Sequence, residues 1–245
     1  MDDDIVHGHA YMIKDNANPK VESPAQNIRQ DTETYPVFES ENSCCTDENS
    51  YQSATRSLMC AVKLIDMNTY NHMNRVSVVA DAIAREMFME DRIPFVRVAG
   101  LLHDIGKICT PFSLLGKTDK VTDCEMEILK DHVMKGCQIL DNIRFPWPVS
   151  DMVMQHHERL DGSGYPKGLK ASEIKLEARI LAVADTLDAI SFQRPWRPGL
   201  GVKEALKELS KQAETGFDAR VVSACIRAFR RRGSRIFDFF ENYNE

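Results

Sequence analysis

The sequence predicts an all-α protein, a helical bundle of seven or eight helices. From about residue 55 onward, apolar residues recur at helical spacing, few β-branched runs alternate at period two, and capping residues precede several apolar stripes. The 245 residues are 43% apolar and 28% charged. This composition is typical of a globular domain, and it excludes collagen-like repeats and a miniprotein held together by disulfides.

The chain begins with a polar, acidic segment. Residues 1–52 show no helical or strand period, and residues 1–50 hold 11 acidic side chains against 3 basic ones. Because this segment has little apolar surface to bury, we expect residues 1–52 to form a flexible tail and residues 53–245 to form the folded domain. Tyr35, Val37 and Phe38 are its densest apolar cluster and would be its anchor if it docks.

The helices are predicted in order from apolar stripes and start signals. Pro94 suits the first turn of a helix, Thr122 with Glu125 forms a capping box, and Asp218 is a candidate N-cap. The glycine-rich stretch 161–168 interrupts the pattern and is expected to be a loop. The predicted helical stretches are 58–65, 76–87, 94–102, 126–139, 149–157, 172–190, 202–214 and 218–231.

Cysteine spacing and charge exclude several classes of protein. The seven cysteines include no C-x-x-C pair, which argues against a disulfide framework and against a zinc site built from cysteines. No stretch approaches the roughly 18 apolar residues of a transmembrane helix, and the acidic N-terminus does not resemble a secretory signal, so we expect a cytoplasmic protein. Residues 51–245 carry a net charge of only +2, too little for a protein that binds long nucleic acid.

Histidines and isolated carboxylates concentrate in the helical body. Taken singly, such a histidine can be a hydrogen-bonded core residue, and Asp185 could pair with Arg179. Together they indicate a metal site, because a buried carboxylate is costly unless it is paired or binds a cation. Imidazole and carboxylate ligands suit iron, manganese, zinc or nickel better than calcium or magnesium. The candidate ligands are His72, His103, Asp104, His132, His156, His157 and Asp185.

A glycine-containing loop over 158–166 directly follows the histidine pair. Gly162 and Gly164 allow backbone N–H groups to approach a ligand, and Pro166 stiffens the exit of the loop. Tyr165 could stack on a base. Many surface turns share this pattern, but its position next to two candidate ligands favours a lid that faces the substrate.

These motifs resemble the HD-GYP family of bacterial phosphodiesterases. The matching elements are His103-Asp104-Ile105-Gly106-Lys107, His132 with Gly136, His156-His157-Glu158-Arg159 running into Asp161-Gly162-Ser163-Gly164-Tyr165-Pro166, and Ala182-Val183-Ala184-Asp185. The resemblance covers about residues 55–225. It implies an HD-superfamily helical fold, a centre of two or three metals, and hydrolysis of cyclic di-GMP to pGpG and GMP by a hydroxide that bridges two metals.

The resemblance also implies a role for each of these residues. One metal would be held by His72, His103, Asp104 and Asp185, and Asp104 would bridge to a second metal held by His132 and His156. His157 would complete the surroundings of the second metal or serve a third. Asp104 and Lys107 would be catalytic, with Lys107 reaching the substrate phosphate. The residues that would bind the nucleotide are Lys107, Arg159, Asp161, Gly162, Gly164, Tyr165, Pro166 and Arg194.

One departure from the family pattern bears on the number of metals. Asn68 stands where members with three metals carry glutamate, and a neutral amide is a poorer ligand than a carboxylate. We therefore expect two divalent transition-metal ions, with iron or manganese as the first choice and zinc or nickel as alternatives. Lys107 lies four residues after His103, and in a helix both side chains would share one face.

Two other functions stay open at this point. The chain could hydrolyse another cyclic dinucleotide, such as cyclic GMP-AMP, or it could be a non-catalytic sensor or adaptor of cyclic di-GMP. Degenerate scaffolds typically lose ligands, whereas this chain retains the His-Asp pair, the lysine, the histidine pair and the distal aspartate, which favours catalysis. The arginines of 227–232 are expected to lie in solvent while the nearby phenylalanines pack on the body or form a homodimer face. Signalling proteins are further candidate partners.

Overall fold

The computed structural model of the chain describes residues 47–194 and 197–237, with side chains from residue 50 onward. Most of the predicted tail therefore lies outside the described residues, and its flexibility stays a prediction. The last residues of that tail belong to a helix that begins at Asp47. Phe239 and Phe240, which were expected to pack on the body or form a homodimer face, also lie outside the described residues.

The prediction of an all-α fold is confirmed. In the described ranges, extended backbone pairs only at isolated bridges, such as the one between Asp161 and Lys170. Short 3-10 segments and turns join the helices, and none of the described helices is long and apolar enough to cross a bilayer. The helices are α1 (Asp47–Ile65), α2 (Met67–Glu86), α3 (Ile93–Leu102), α4 (Phe112–Leu115), α5 (Asp123–Lys130), α6 (His132–Leu140), α7 (Val149–Gln155), α8 (Leu176–Ser191), α9 (Val202–Lys211) and α10 (Ala219–Arg232).

The helix count exceeds the prediction for two reasons. A single helical turn, α4, is too short to show a period, and the helix predicted over 126–139 is divided at Asp131 into α5 and α6. Asp131 keeps right-handed helical angles (φ −62°, ψ −18°), and no glycine or proline marks the break. The predicted capping box is confirmed: the Glu125 N–H donates to the Thr122 hydroxyl oxygen at 3.3 Å, and the Thr122 N–H donates to the Glu125 carboxylate at 2.8 Å.

Helix α2 lies at the centre of the bundle. It begins at an N-cap, Asp66, whose carboxylate accepts hydrogen bonds from the N–H groups of Asn68 and Thr69 at 3.0 and 3.2 Å. Its apolar stripe packs against α1, α3, α8 and α10. The fully buried members of that stripe are Met73, Val76, Val79, Ala80 and Ile83. A helix enclosed on several sides holds its polar side chains in fixed positions as well.

Helices α2 and α3 cross closely at Gly100. A Cβ atom on Gly100 would lie 2.6 Å from the Cα atom of Ser77, a separation that packed atoms do not reach. The Ser77 hydroxyl also donates to the backbone carbonyl of Arg97 at 2.9 Å. The crossing places the first half of α2 beside the end of α3, where His72 and His103 are located.

Helix α8 completes the framework around these two helices. Three of its apolar residues, Ile180, Leu181 and Leu187, are fully buried. Two carboxylates, Asp185 and Asp188, are buried one helical turn apart in this apolar sequence. Because a buried carboxylate needs a compensating positive group, we expect such groups to lie between α8 and α2.

We expect Gly100→Ala to lower the free energy of unfolding by about 2 kcal/mol, because the added methyl group overlaps with the backbone of α2. Urea unfolding followed by circular dichroism measures the change. Gly116→Ala is the matched control, since its Cβ would make an ordinary contact of 3.7 Å with the carbonyl of Phe112. Equal stability of the two variants would contradict this account of the crossing.

Candidate metal centre

All seven side chains predicted as metal ligands converge at one place. They form two groups, within each of which the potential ligand atoms lie within 4.8 Å of one another. The first group is His72, His103 and Asp185; the second is Asp104, His132, His156 and His157. The division follows the one that the family resemblance implied.

The carboxylate of Asp104 joins the two groups. Its Oδ2 atom lies 3.3 Å from Nε2 of His72 and 3.4 Å from Nε2 of His103. Its Oδ1 atom lies 3.2 Å from Nε2 of His132, on the other side. Asp185 spans the same gap, with Oδ1 3.1 Å from Nε2 of His72 and Oδ2 3.9 Å from Nδ1 of His157. Each carboxylate therefore presents one oxygen to each group.

The backbone changes course where the His-Asp pair occurs. Helix α3 ends at Leu102, and a 3-10 segment, Ile105–Cys109, carries Lys107. The expectation that His103 and Lys107 share one face of an α-helix is therefore wrong, because no α-helix includes both residues. The 3-10 segment instead brings the Lys107 ammonium within 2.6 Å of Oδ2 of Asp104. Burial acts to raise the pKa of Asp104, but Lys107 and His103 hold that pKa well below its usual range.

Four buried imidazoles are held in place through their Nδ1 atoms. The acceptors are the backbone carbonyls of Gly100 for His103 (2.9 Å), Leu129 for His132 (2.5 Å) and Val153 for His156 (2.6 Å), and the carboxylate of Asp188 for His72 (2.6 Å). An imidazole that donates through Nδ1 presents the Nε2 lone pair on its opposite side. This arrangement is the one that metal-binding histidines use.

Two of these Nε2 atoms have no hydrogen-bond partner among the described residues. They belong to His132 and His156, and both atoms are buried. Burial lowers the pKa of His132 to about 4 and that of His156 to about 3, so both imidazoles are neutral at neutral pH. A buried acceptor without a partner is unfavourable unless something binds it. These residues therefore fit a transition-metal cation, whose preferred donors are neutral imidazole and carboxylate.

Asp188 is a buried carboxylate that the sequence interpretation missed. Besides the Nδ1–H of His72, it accepts the Arg75 Nε–H at 2.5 Å, and Nη2 of Arg194 lies 3.4 Å from it. Its position one turn after Asp185 in an apolar helix was the available signal, because a second buried acid in such a helix needs a partner too.

The three carboxylates around His72 require a positive charge near its imidazole. Burial and Arg194 act to lower the pKa of His72, yet Asp188, Asp104 and Asp185 together raise it to about 9. Three carboxylates meeting at one imidazole require a positive charge between them. A proton on the ring satisfies this requirement, and so does a metal ion bound among the same oxygens.

The glycine-containing loop packs directly on the histidine pair. Oδ1 of Asp161 accepts hydrogen bonds from the N–H and hydroxyl of Ser163 at 2.9 and 2.7 Å. A Cβ on Gly164 would lie 2.5 Å from the carbonyl oxygen of His157, so only glycine fits there. The ring of Tyr165 stacks on the His157 imidazole, with centroids 4.6 Å apart. The His157 imidazole therefore already covers part of the Tyr165 ring that was expected to stack on a base.

Two buried residues beneath the loop hold it in place. The Glu158 carboxylate accepts the N–H groups of Lys167 and Leu169 at 2.7 and 2.9 Å. Arg159 was expected to bind the nucleotide, but the structure buries it below the loop. Its guanidinium donates to the Glu158 carbonyl at 2.9 Å and lies 4.8 Å from the Phe217 ring centroid. A contact of Arg159 with substrate stays a prediction.

The remaining predicted binding residues lie at the edge of the centre. Gly162 adopts a left-handed φ of 84°, and Pro166 follows Tyr165 through a cis peptide bond. Nη2 of Arg194 lies 3.0 Å from Nδ1 of His72, so this arginine lines the first ligand group.

Known proteins match the chain in both sequence and fold. The model of the HD domain family matches residues 56–221. A cyclic di-GMP phosphodiesterase response regulator, RpfG of Xanthomonas campestris pv. campestris, is 38% identical over 184 residues, which cover 74% of this chain and 48% of that protein. The 3'3'-cGAMP-specific phosphodiesterase 3 of Vibrio cholerae is 36% identical over 171 residues, which cover 68% of this chain and 37% of that protein.

A solved structure supports the same assignment of fold. Bd1817, an HDG"Y"P protein from Bdellovibrio bacteriovorus, superposes with a TM-score of 0.57 at 20% identity, covering 76% of this chain and 65% of that one. The chain spans about half or less of the length of the two phosphodiesterases that it matches. The family model and the order of the motifs lead to one conclusion: the chain belongs to the HD domain family and, within it, to the HD-GYP members.

Proposed function

We propose that the chain is a metal-dependent phosphodiesterase that hydrolyses cyclic di-GMP to pGpG and GMP. The observation that carries this proposal is the carboxylate of Asp104, which faces two groups of imidazoles with separate oxygens. The name of the Xanthomonas relative supports the choice of substrate. The orphaned Nε2 atoms of His132 and His156 support the dependence on metal.

Two metal ions would be divided between the ligand groups. His72, His103 and Asp185 would hold one ion, His132 and His156 would hold the other, Asp104 would contact both, and His157 would complete the second group. When bound, such ions supply Lewis-acid stabilisation of a phosphoryl group and lower the pKa of bound water. Iron or manganese is the first choice, with zinc or nickel as alternatives, because these metals accept mixed imidazole and carboxylate ligands.

Lys107 supplies a positive charge at the edge of the centre. Its side chain keeps 15% of its surface exposed, whereas the Asp104 side chain beside it keeps only 2%. The ammonium can therefore reach a ligand in the cleft while it remains next to the shared carboxylate. A fixed cation at this position stabilises charge that develops on a phosphate oxygen, and it needs no reorganisation during the reaction.

The loop over 158–169 would close the nucleotide side of the centre. The Glu158 carboxylate accepts a hydrogen bond from the Lys167 N–H and so holds the last part of the loop in place. The stacking of Tyr165 on His157 holds the middle of the loop against the candidate ligands. Gly162, Gly164 and Pro166 would line the substrate there, and Arg194 would do so on the His72 side. A cytoplasmic location, a homodimer and signalling partners are further predictions that follow from the sequence.

The decisive experiment supplies the purified chain with iron or manganese under anaerobic conditions and adds cyclic di-GMP. Chromatography should detect pGpG first and GMP later. A parallel reaction with 3'3'-cyclic GMP-AMP tests the second candidate substrate, which the 36% identity to the Vibrio enzyme favours. Tight binding of cyclic di-GMP without any product would instead identify a sensor.

Asp104→Ala should leave the chain with less than half of its metal and no measurable phosphodiesterase activity, because the change removes the carboxylate whose two oxygens lie within 3.4 Å of imidazoles of both ligand groups. Elemental analysis of the purified variant measures the metal. Asp81→Ala is the control, since Asp81 pairs with Arg85 away from the centre. An Asp104 variant with full metal occupancy and normal activity would refute the bridging role.

Lys107→Ala should retain its metal but lose turnover by about 100-fold, because one fixed charge on the reacting group disappears. Metal content and the initial rate are measured on the same sample. Lys135→Ala is the matched control, because this lysine pairs only with exposed Asp131. If metal content fell in proportion to the rate, Lys107 would be a structural residue and its assigned role would be wrong.

Asp188→Asn should weaken metal binding at the His72 group by about 10- to 100-fold. The neutral amide no longer supplies the negative charge that orients the His72 ring and that balances the charges of Arg75 and Arg194. Dialysis against a weak chelator, followed by elemental analysis, should then find about half the metal of the parent chain. The same dialysis applied to Asp81→Asn provides the control. Unchanged metal retention would show that Asp188 serves only the packing of α8 on α2.

A further inference from the structure

Helix α10 carries a strongly basic surface. Residues 219–237 contain six arginines and no carboxylate. Arg227 and Arg231 lie near Glu86, at the end of α2, with nitrogen–oxygen distances of 3.5 and 3.1 Å. Arg230, Arg232 and Arg235 are exposed, and within the described ranges none of these three makes an ion pair with an acidic side chain. Among the described residues, no acidic side chain therefore neutralises these three arginines.

An exposed aromatic side chain closely follows Glu86, the partner of Arg227 and Arg231, in the sequence. Phe88, two residues after Glu86, is 85% exposed and has a positive φ of 57°. A left-handed conformation costs a non-glycine residue about 1 kcal/mol, and an exposed phenylalanine adds no burial in return. We call Phe88 with Arg230, Arg232 and Arg235 the arginine face. Its combination of aromatic and cationic groups suits an acidic segment that contains aromatic residues.

The chain itself contains such a segment. Residues 31–46 hold four acidic side chains and no lysine or arginine, and they include the apolar cluster of Tyr35, Val37 and Phe38. The segment precedes α1 directly, so any contact with the folded domain would be intramolecular. Tethering raises the effective concentration of such a partner to the millimolar range, which is sufficient for a weak ionic contact.

The first helix begins at the same end of the bundle as the arginine face. The ring of Tyr51, near the start of α1, lies 5.7 Å from Trp147, and Trp147 stacks on Phe95 at 5.8 Å. Phe95 is in the first turn of α3, directly after the connection that carries Phe88. The nine residues from Phe38 to Asp47 can span about 30 Å when they are extended.

We propose that residues 31–46 dock on the arginine face, with their carboxylates against the arginines and their apolar cluster beside Phe88. The contact is separate from the proposed catalysis. Glu86 lies 14 residues beyond His72 on the same helix, which places it about 20 Å from the metal centre. Failure of this proposal would thus leave the assignment of the metal centre intact.

Digestion of the full-length chain with a protease that cleaves after glutamate tests the proposal. Glu39 and Glu41 lie within the docking segment, whereas Glu22 lies outside it and serves as the internal reference. Because cleavage tracks the open fraction of a segment, Arg230→Glu with Arg232→Glu should raise the rate at Glu39 and Glu41, relative to Glu22, by about five-fold or more. Raising sodium chloride to about 0.5 M should have the same effect on the parent chain.

The matched control reverses two charges on another surface, Lys120→Glu with Lys135→Glu, and should leave the ratio of rates unchanged. Circular dichroism verifies that both variants are folded. The proposal is overturned if the arginine variant keeps the parent ratio, or if the control variant changes it equally. A ratio that varies over an about hundred-fold range of protein concentration would overturn it as well, because a second copy would then be the partner.

Discussion

The arrangement of the centre depends on one shared carboxylate. Asp104 lies in the turn after α3, and its two oxygens face different groups of imidazoles. Helix α3 ends at Leu102, and Asp104 lies in the turn before the 3-10 segment that begins at Ile105. The close crossing of α2 and α3 at Gly100 is what brings His72 to the same carboxylate. The packing of α2 against α3 and the placement of the candidate ligands therefore depend on the same close crossing.

The imidazoles are oriented by groups close to them in sequence. Three of them donate to a backbone carbonyl three residues earlier, so the last turn of the preceding helix fixes each of these rings. His72 is different, because it lies in the middle of α2 where the carbonyls are already used within the helix. It relies on Asp188, a side chain from another helix, and this makes the first ligand group dependent on the packing of α8.

The fold class could be predicted from the sequence, because apolar periodicity and capping residues are local signals. The convergence of the seven candidate ligands was signalled by histidines and lone carboxylates in apolar helices, and their division into two groups was implied by the family resemblance. Other features depend on tertiary contacts. The break at Asp131 has no glycine or proline to mark it, and Arg159 is buried because Phe217 comes to it from a distant part of the chain. Asp188 was overlooked for the same reason: its partners His72 and Arg75 are in another helix.

The seven candidate ligands come from α2, the turn after α3, α6, the end of α7 and α8, and none of these elements holds more than two of them. A metal ion bound at the centre would connect segments that are far apart in the chain. Binding that favours only the folded form stabilises it by mass action, so resistance to heat and to proteolysis would follow the supply of metal in the cell. Scarcity of metal would then reduce the amount of the protein as well as its activity.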